Sequence, residues 1–213
     1  MATYESFSDD YPDCQFYGID IEPRTPDTVY PHNCIFERGD FLKSLPYPDN
    51  TFDLLHVRVT LLWLDSDSFK NLLKEAARVT KRGGFIEFLE QDLETTNTGP
   101  ILTSYVDAWR EIQRSKNIDG NLMSNMETLL AEQGFGNIKI DNCHIPIGKW
   151  AGHVGEFFLS AFKLFVLHTA SLTYERMNLR NEDDCAQLVQ ELSAECEQYM
   201  PRASVYFGFA QKL

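Results

Sequence analysis

A chain of 213 residues with 43% hydrophobic content carries enough apolar side chains for one good core, and it reads as a single domain, 1–213, with room for an elaboration. Its formal net charge of −13 argues against nucleic acid as a partner, because affinity for a phosphate backbone comes from clustered Lys and Arg. Five widely spaced cysteines with no CxxC pair fit buried thiols in a reducing compartment better than a disulfide framework or a zinc site. There is no basic, apolar-cored leader, which predicts a cytoplasmic protein. The longest apolar stretches, 54–64 and 157–167, are too short and too polar to span a bilayer.

Residues 14–22 and 34–39 are short β-like runs flanked by Pro, Asn and Asp, ending at Asp20 and Asp40. Strands that end in acids suggest a ligand edge. After the turn-rich Pro46-Tyr47-Pro48-Asp49-Asn50, residues 52–59 read as an apolar strand of the kind buried in a parallel sheet. A helix follows, with Phe69, Leu72, Leu73, Ala76 and Val79 at helical spacing, possible N-caps at 65–68, and an expected end at Gly83-Gly84. Residues 85–89 are then the next strand. Helices are predicted over 101–115 and 122–133, and alternating strands over 138–147 and 204–211.

The alternation of strands with helix-length crossovers builds an α/β fold with a Rossmann-like, doubly wound, mostly parallel sheet. The core comprises 11–146 and 204–213, and 147–203 is a helical insertion before the last strand. The insertion carries two apolar stripes, one around Phe157, Phe158, Ala161, Phe162, Leu164 and Phe165, the other around Cys185, Leu188, Leu192 and Cys196. Either they pack on the sheet or they form a lid or acceptor pocket over the ligand edge.

Four segments together resemble the class I S-adenosylmethionine-dependent methyltransferases, especially a fungal group. They are 11–20, reading YPDCQFYGID; Gly39-Asp40-Phe41; 45–53, reading LPYPDNTFD; and 78–87, reading RVTKRGGFIE. Residues 145–152, IPIGKWAG, add to the likeness. The resemblance implies S-adenosyl-L-methionine as cofactor, with Asp20 accepting from the ribose hydroxyls beside Ile21, and Glu22 as a weaker alternative. It further implies Asp40 at the adenine amino group, Phe41 against the ring, and Val57 and Arg58 along the methionine part or the acceptor.

In such folds a Gly-rich turn lies about 20 residues before the acid, and counting back from Asp20 runs off the chain. The expected sheet therefore lacks its first, central strand and its Gly-rich loop, as in an N-terminally truncated member, with 1–10 as the tail of the helix after that loop.

Methyl transfer from a sulfonium needs the acceptor aligned and stripped of water more than it needs a dedicated catalytic group. Were a general base used, His56, Glu90, Gln91-Asp92 and His144 are the candidates. No metal-ligand spacing is present. The sequence thus points to methyl transfer to a small-molecule acceptor, or else to a non-catalytic, methyltransferase-like binding or regulatory module.

Overall fold

The computed structural model describes residues 8–21, 31–120 and 122–213. Glu22 lies outside them, as do residues 1–7, so neither the weaker ribose candidate nor most of the expected helical tail is described; residues 8–10 are helical. Two short strands come first, β1 (Phe16–Asp20) and β2 (Cys34–Arg38), paired in parallel with Asp20 opposite Arg38. A second sheet follows, with β3 (Phe52–Arg58), β4 (Thr80–Thr96), β5 (Phe135–Pro146) and β6 (Arg202–Lys212) in the order β3-β4-β6-β5. β3 runs parallel to β4, and β6 runs antiparallel to both β4 and β5. Three of these four strands thus share one direction, and the fold is Rossmann-like α/β.

Among the described residues no strand joins β1 to β3. Side chains span the break instead. Tyr17 of β1 packs edge-on to Tyr47 and to Phe52 of β3, with ring centroids 5.7 and 5.6 Å away. The Tyr47 hydroxyl donates to Glu37 of β2 at 2.7 Å.

The crossover between β3 and β4 is helix α1 (Ser66–Val79), started by Asp65, whose carboxylate accepts from the N–H groups of Asp67 and Ser68. Its apolar face, Phe69, Leu72, Leu73 and Ala76, is buried as the spacing predicts. The helix stops at Val79, four residues before the Gly-Gly pair expected to end it. At Thr80 the backbone turns extended and the hydroxyl donates to the Ala76 carbonyl at 2.7 Å. Gly83-Gly84 instead lies inside β4, in the bulge where Phe52 pairs with Thr80 and Leu54 already with Phe85.

α2 (Pro100–Ser115) follows β4, and the stretch 122–133, expected as one helix, forms a 3₁₀ turn (Leu122–Asn125) and then α3 (Met126–Glu132). Between β5 and β6 the insertion holds α4 (Gly152–His168), a single turn (Ala170–Thr173) and α5 (Glu182–Tyr199).

One core lies under α1 and α3 on the face carrying Val57, Ile86 and Phe88; another joins α2, α4 and α5 around Trp109, Leu188 and Leu192. A buried carboxylate ties the insertion to the rest. Gly99 at the N-cap of α2 offers no side chain, and Glu195 of α5 accepts from Ile101 N–H at 2.8 Å and Leu102 N–H at 2.7 Å. Of the five cysteines expected as core thiols only Cys185 and Cys196 are buried; Cys14 and Cys143 are exposed and Cys34 is intermediate. The exposed pair sits just before β1 and on the outermost strand of the second sheet, where none of the described residues covers them.

Candidate active site

Parallel pairing of β1 and β2 sends both strands out of the sheet on one side, so Asp20, the last residue of β1, and Asp40, two residues beyond β2, stand at one edge. Backbone and side chains brace these tips. The Asp20 carbonyl accepts from Gly39 N–H at 2.9 Å, and Arg38 Nε donates to the carbonyl of Ile21, itself exposed, at 3.1 Å. Asp40 closes an Asx turn on Leu42 N–H at 3.0 Å and lies 3.3 Å from Lys43. Phe41 packs on the core that also holds Val57 and Leu61, which attaches the β2 tip to the same core as the β3 exit.

At that exit Val57 is buried with its side chain in the α1 core, leaving only its backbone for a ligand, and Arg58 is exposed opposite Leu89. The next residue, Val59, has a φ of 53°. A β-branched side chain rarely adopts that conformation, and such strain persists only where the surroundings over-determine it. Here they do: Val59 N–H donates to the Leu89 carbonyl at 2.9 Å. The carboxylate of Glu90, fully buried, then takes Thr60 N–H at 2.8 Å, Thr60 Oγ1 at 2.7 Å and Leu61 N–H at 3.1 Å. Burial pushes the Glu90 carboxyl up, and the bonds from Thr60 and Leu61 work against it. Glu90 thus clamps the loop rather than facing open space.

The two histidines stand apart from this loop. His56 faces Glu87 across the β3–β4 pair at 3.4 Å on the uncovered side of the sheet, and His144 on β5 lies 3.2 Å from the Ser204 hydroxyl. Neither lines either of the two cavities described next.

Beyond the β4 exit two cavities do open, of about 370 Å³ and about 130 Å³, and Leu62, Gln91, Asp92 and Leu93 line both. Aromatic rings from α2 and α4 wall the smaller one. Trp109 lies against Phe165 at 5.1 Å between centroids and Tyr105 edge-on to Phe162 at 5.8 Å, while Trp63, in the loop before α1, meets Trp109 edge-on at 5.5 Å. The polar tips of the wall are satisfied in a chain from Trp109 Nε1 to the Tyr105 hydroxyl, 3.0 Å, and on to Thr169, 3.2 Å. In the first insertion stripe Phe158, Ala161, Phe162 and Phe165 line the pocket, Phe158, Phe162 and Phe165 also pack on the helical cores, and Phe157 and Leu164 point to solvent.

Comparison with known proteins fits this geometry. Residues 2–88 match the family model described as "Methyltransferase domain". Over those residues the chain is similar to methyltransferase domains, in agreement with the resemblance read from its sequence. It is 28% identical over 145 residues to N-methyltransferase verN of Clonostachys rogersoniana, a match covering 65% of this chain and 49% of that protein. The chain thus spans about half the length of that curated relative.

Among solved structures, a candidate methyltransferase from an antibiotic biosynthesis pathway of Anabaena variabilis superposes with a TM-score of 0.57 at 14% identity, over 98% of this chain and 85% of that one. Phosphoethanolamine N-methyltransferase 2 of Haemonchus contortus, solved with phosphomonomethylethanolamine and S-adenosylhomocysteine, gives 0.53 at 14% identity, over 97% and 46%. At these identities the likeness is one of fold.

The donors and acceptors present suit the adenosyl half of such a cofactor. Asp20 and Asp40 offer carboxylates at neighbouring strand tips, and Phe41 offers a half-buried ring beside them. Among the sequence candidates, the structure brings together Asp20, Ile21, Asp40 and Phe41 at one edge and Arg58 and Glu90 around the β3 exit. Reading the sequence missed Val59, Thr60 and the Trp109 wall. Nothing in a Val-Thr pair signals a left-handed turn, and Trp109 was legible only as one more apolar position of a helix.

Proposed function

We propose that this chain binds S-adenosyl-L-methionine and serves methyl transfer to a small-molecule acceptor. The core, 11–146 and 204–213, holds the cofactor edge, and the helical segment 147–203 walls the acceptor side. The observation that carries this reading is the placement of Asp20 and Asp40 at adjacent parallel strand tips, with Phe41 tying them to the core of the β3 exit. When bound, the cofactor supplies an electrophilic methyl group on a sulfonium sulfur.

The chain's own residues bind, orient and exclude water. Asp20 accepts the ribose hydroxyls, Asp40 meets the adenine amino group, and the loop from Val59 to Leu61, held by Glu90, faces the acceptor from the β3 exit. The aromatic wall keeps the reacting centre dry, which this displacement needs more than a base. Two of the similar proteins are N-methyltransferases by name, which supports nitrogen as the methylated atom.

Titration calorimetry with S-adenosyl-L-methionine tests the reading. Asp20→Ala removes the diol's acceptors and is expected to weaken binding by about 10- to 100-fold, the worth of charge-assisted hydrogen bonds. An unchanged dissociation constant removes Asp20 from the site, and absence of binding by the parent chain removes the cofactor assignment.

A further inference from the structure

The smaller cavity joins an apolar, aromatic wall to a single acid. Val59 and Leu62 border it on one side and Trp109, Phe162 and Phe165 on the other, and Asp92 is the one carboxylate among its lining residues. Asp92 sits near the end of β4, half-buried, and burial raises its carboxyl pKa. It is held in place without being ion-paired away. Glu94 N–H donates to Oδ1 at 2.8 Å, and the Tyr206 hydroxyl of β6 bonds the carboxylate. Arg110, the nearby cation, spends its guanidinium on Asp107 at 3.0 Å and on the Leu93 carbonyl at 3.3 Å. A carboxylate has about four acceptor positions, so these two bonds leave room for a ligand's donor.

We propose that this cavity binds an amine with an apolar body, and that Asp92 takes its ammonium. The role of that amine as methyl acceptor rests on the reading given above; its binding does not.

Three physical terms select it over a neutral or anionic ligand. An ammonium at a partly desolvated carboxylate gains a charge-assisted hydrogen bond, about twice the strength of a neutral one. The faces of Trp109, Phe162 and Phe165 attract a cation and shelter an apolar ring or chain. A chain of net charge −13 draws in cations and repels acids. The larger cavity, bordered by Glu94, Arg110, Arg114 and Asp119, continues from Asp92 and leaves space for a ligand that extends beyond the amine.

Three isosteric probes, 2-phenylethylamine, 2-phenylethanol and phenylacetate, test the site by calorimetry or by chemical-shift titration without cofactor. The amine is expected to bind at least tenfold more tightly than the other two. Asp92→Asn should cost the amine about tenfold while moving the alcohol less than twofold. Ala161→Trp, which fills the cavity from an exposed helix position, should weaken every probe that binds. A thermal melt checks that each variant folds; were Asp92→Asn to unfold, the wild-type rank order and Ala161→Trp decide.

Equal affinities, a preference for phenylacetate, no binding at all, or insensitivity to Ala161→Trp overturns the amine site. A parallel S-adenosyl-L-methionine titration of the parent chain keeps the two readings apart. Amine selectivity without cofactor binding overturns only the methyltransferase role, and cofactor binding without amine selectivity overturns only this site.

Discussion

Glu90 illustrates how a residue's role changes once its neighbours are known. At the end of an apolar strand, an acid reads as a candidate base facing the ligand. In three dimensions it is fully buried, and its oxygens are taken by Thr60 and Leu61. The clamp holds the backbone just after Val59 in a conformation that costs of order 1–3 kcal/mol for a residue of that type. Glu90→Gln keeps the shape but sets an NH₂ against backbone N–H groups. An expected loss of about 2 kcal/mol in unfolding free energy follows from leaving a buried donor unpaired. Urea denaturation measures it, and a change under 0.5 kcal/mol would show that the clamp carries little. Asp20 and Asp40 were legible as strand ends because an apolar run that stops at an acid is a local pattern; Val59 was not, because its φ is imposed by the Leu89 carbonyl, thirty residues away in the chain.

The segment before β3 and the end of α1 show the same division between elements. The turn-rich 46–50 segment reads as a loop from its prolines, and it is one. What orders it is Arg78 near the end of α1, which donates to the carbonyls of Tyr47 and Leu45 and to Asp49 and Glu75. Glu75 completes the hub by accepting from Leu45 N–H at 2.9 Å and Ser44 at 3.1 Å.

The Arg78 guanidinium, with those donors, holds the Glu75 carboxyl at about 2 instead of its ordinary 4.5. The unfolded chain therefore takes up this proton at higher pH than the folded one. The hub's stabilisation is whole above pH 4.5, declines as the pH falls toward 2, and is gone below both values, worth about 2 kcal/mol after allowance for the solvent near it. Denaturation midpoints between pH 6 and 2 should fall less steeply in Glu75→Gln than in the parent, from a lower starting point. Parallel curves would assign the acid limb to other carboxylates. The misplaced helix end belongs here too, since Gly-Gly stops helices by local preference whereas pairing with β3 pulled residues 80–84 into a strand.

At the scale of the molecule, the described residues form a sheet in two parts and leave one face of the larger part open. Leu54, Phe85, Leu89, Phe207 and Phe209 lie exposed on its strands, with Leu54 at 56%. α4 adds Phe157, exposed at 77% and turned away from the aromatic wall that its neighbours Phe158 and Phe162 build. Full burial of a Leu or Phe side chain is worth about 1.5–3 kcal/mol, and each of these forgoes a part of it, so the chain as described has apolar surface to spare. It should bind the dye anilinonaphthalene sulfonate in its native state. Phe157→Ser is expected to lower that fluorescence while leaving the unfolding free energy within about 0.5 kcal/mol, as for other exposed positions; a larger loss would mean that Phe157 packs in solution against something it does not touch here.

Class, strand order along the chain and the acid-tipped edge were set by local pattern: apolar runs of strand length, one helical stripe on α1, and carboxylates where β1 and β2 end. These depend on spacing along the backbone, which a sequence states directly. The Glu90 clamp, the capping of α2 by Glu195 from 93 residues away and the pairing of an aromatic wall with Asp92 came only with the tertiary structure. Each joins residues from separate elements whose approach is decided by how the helices and strands pack, and no spacing in the chain encodes which side chain will meet which.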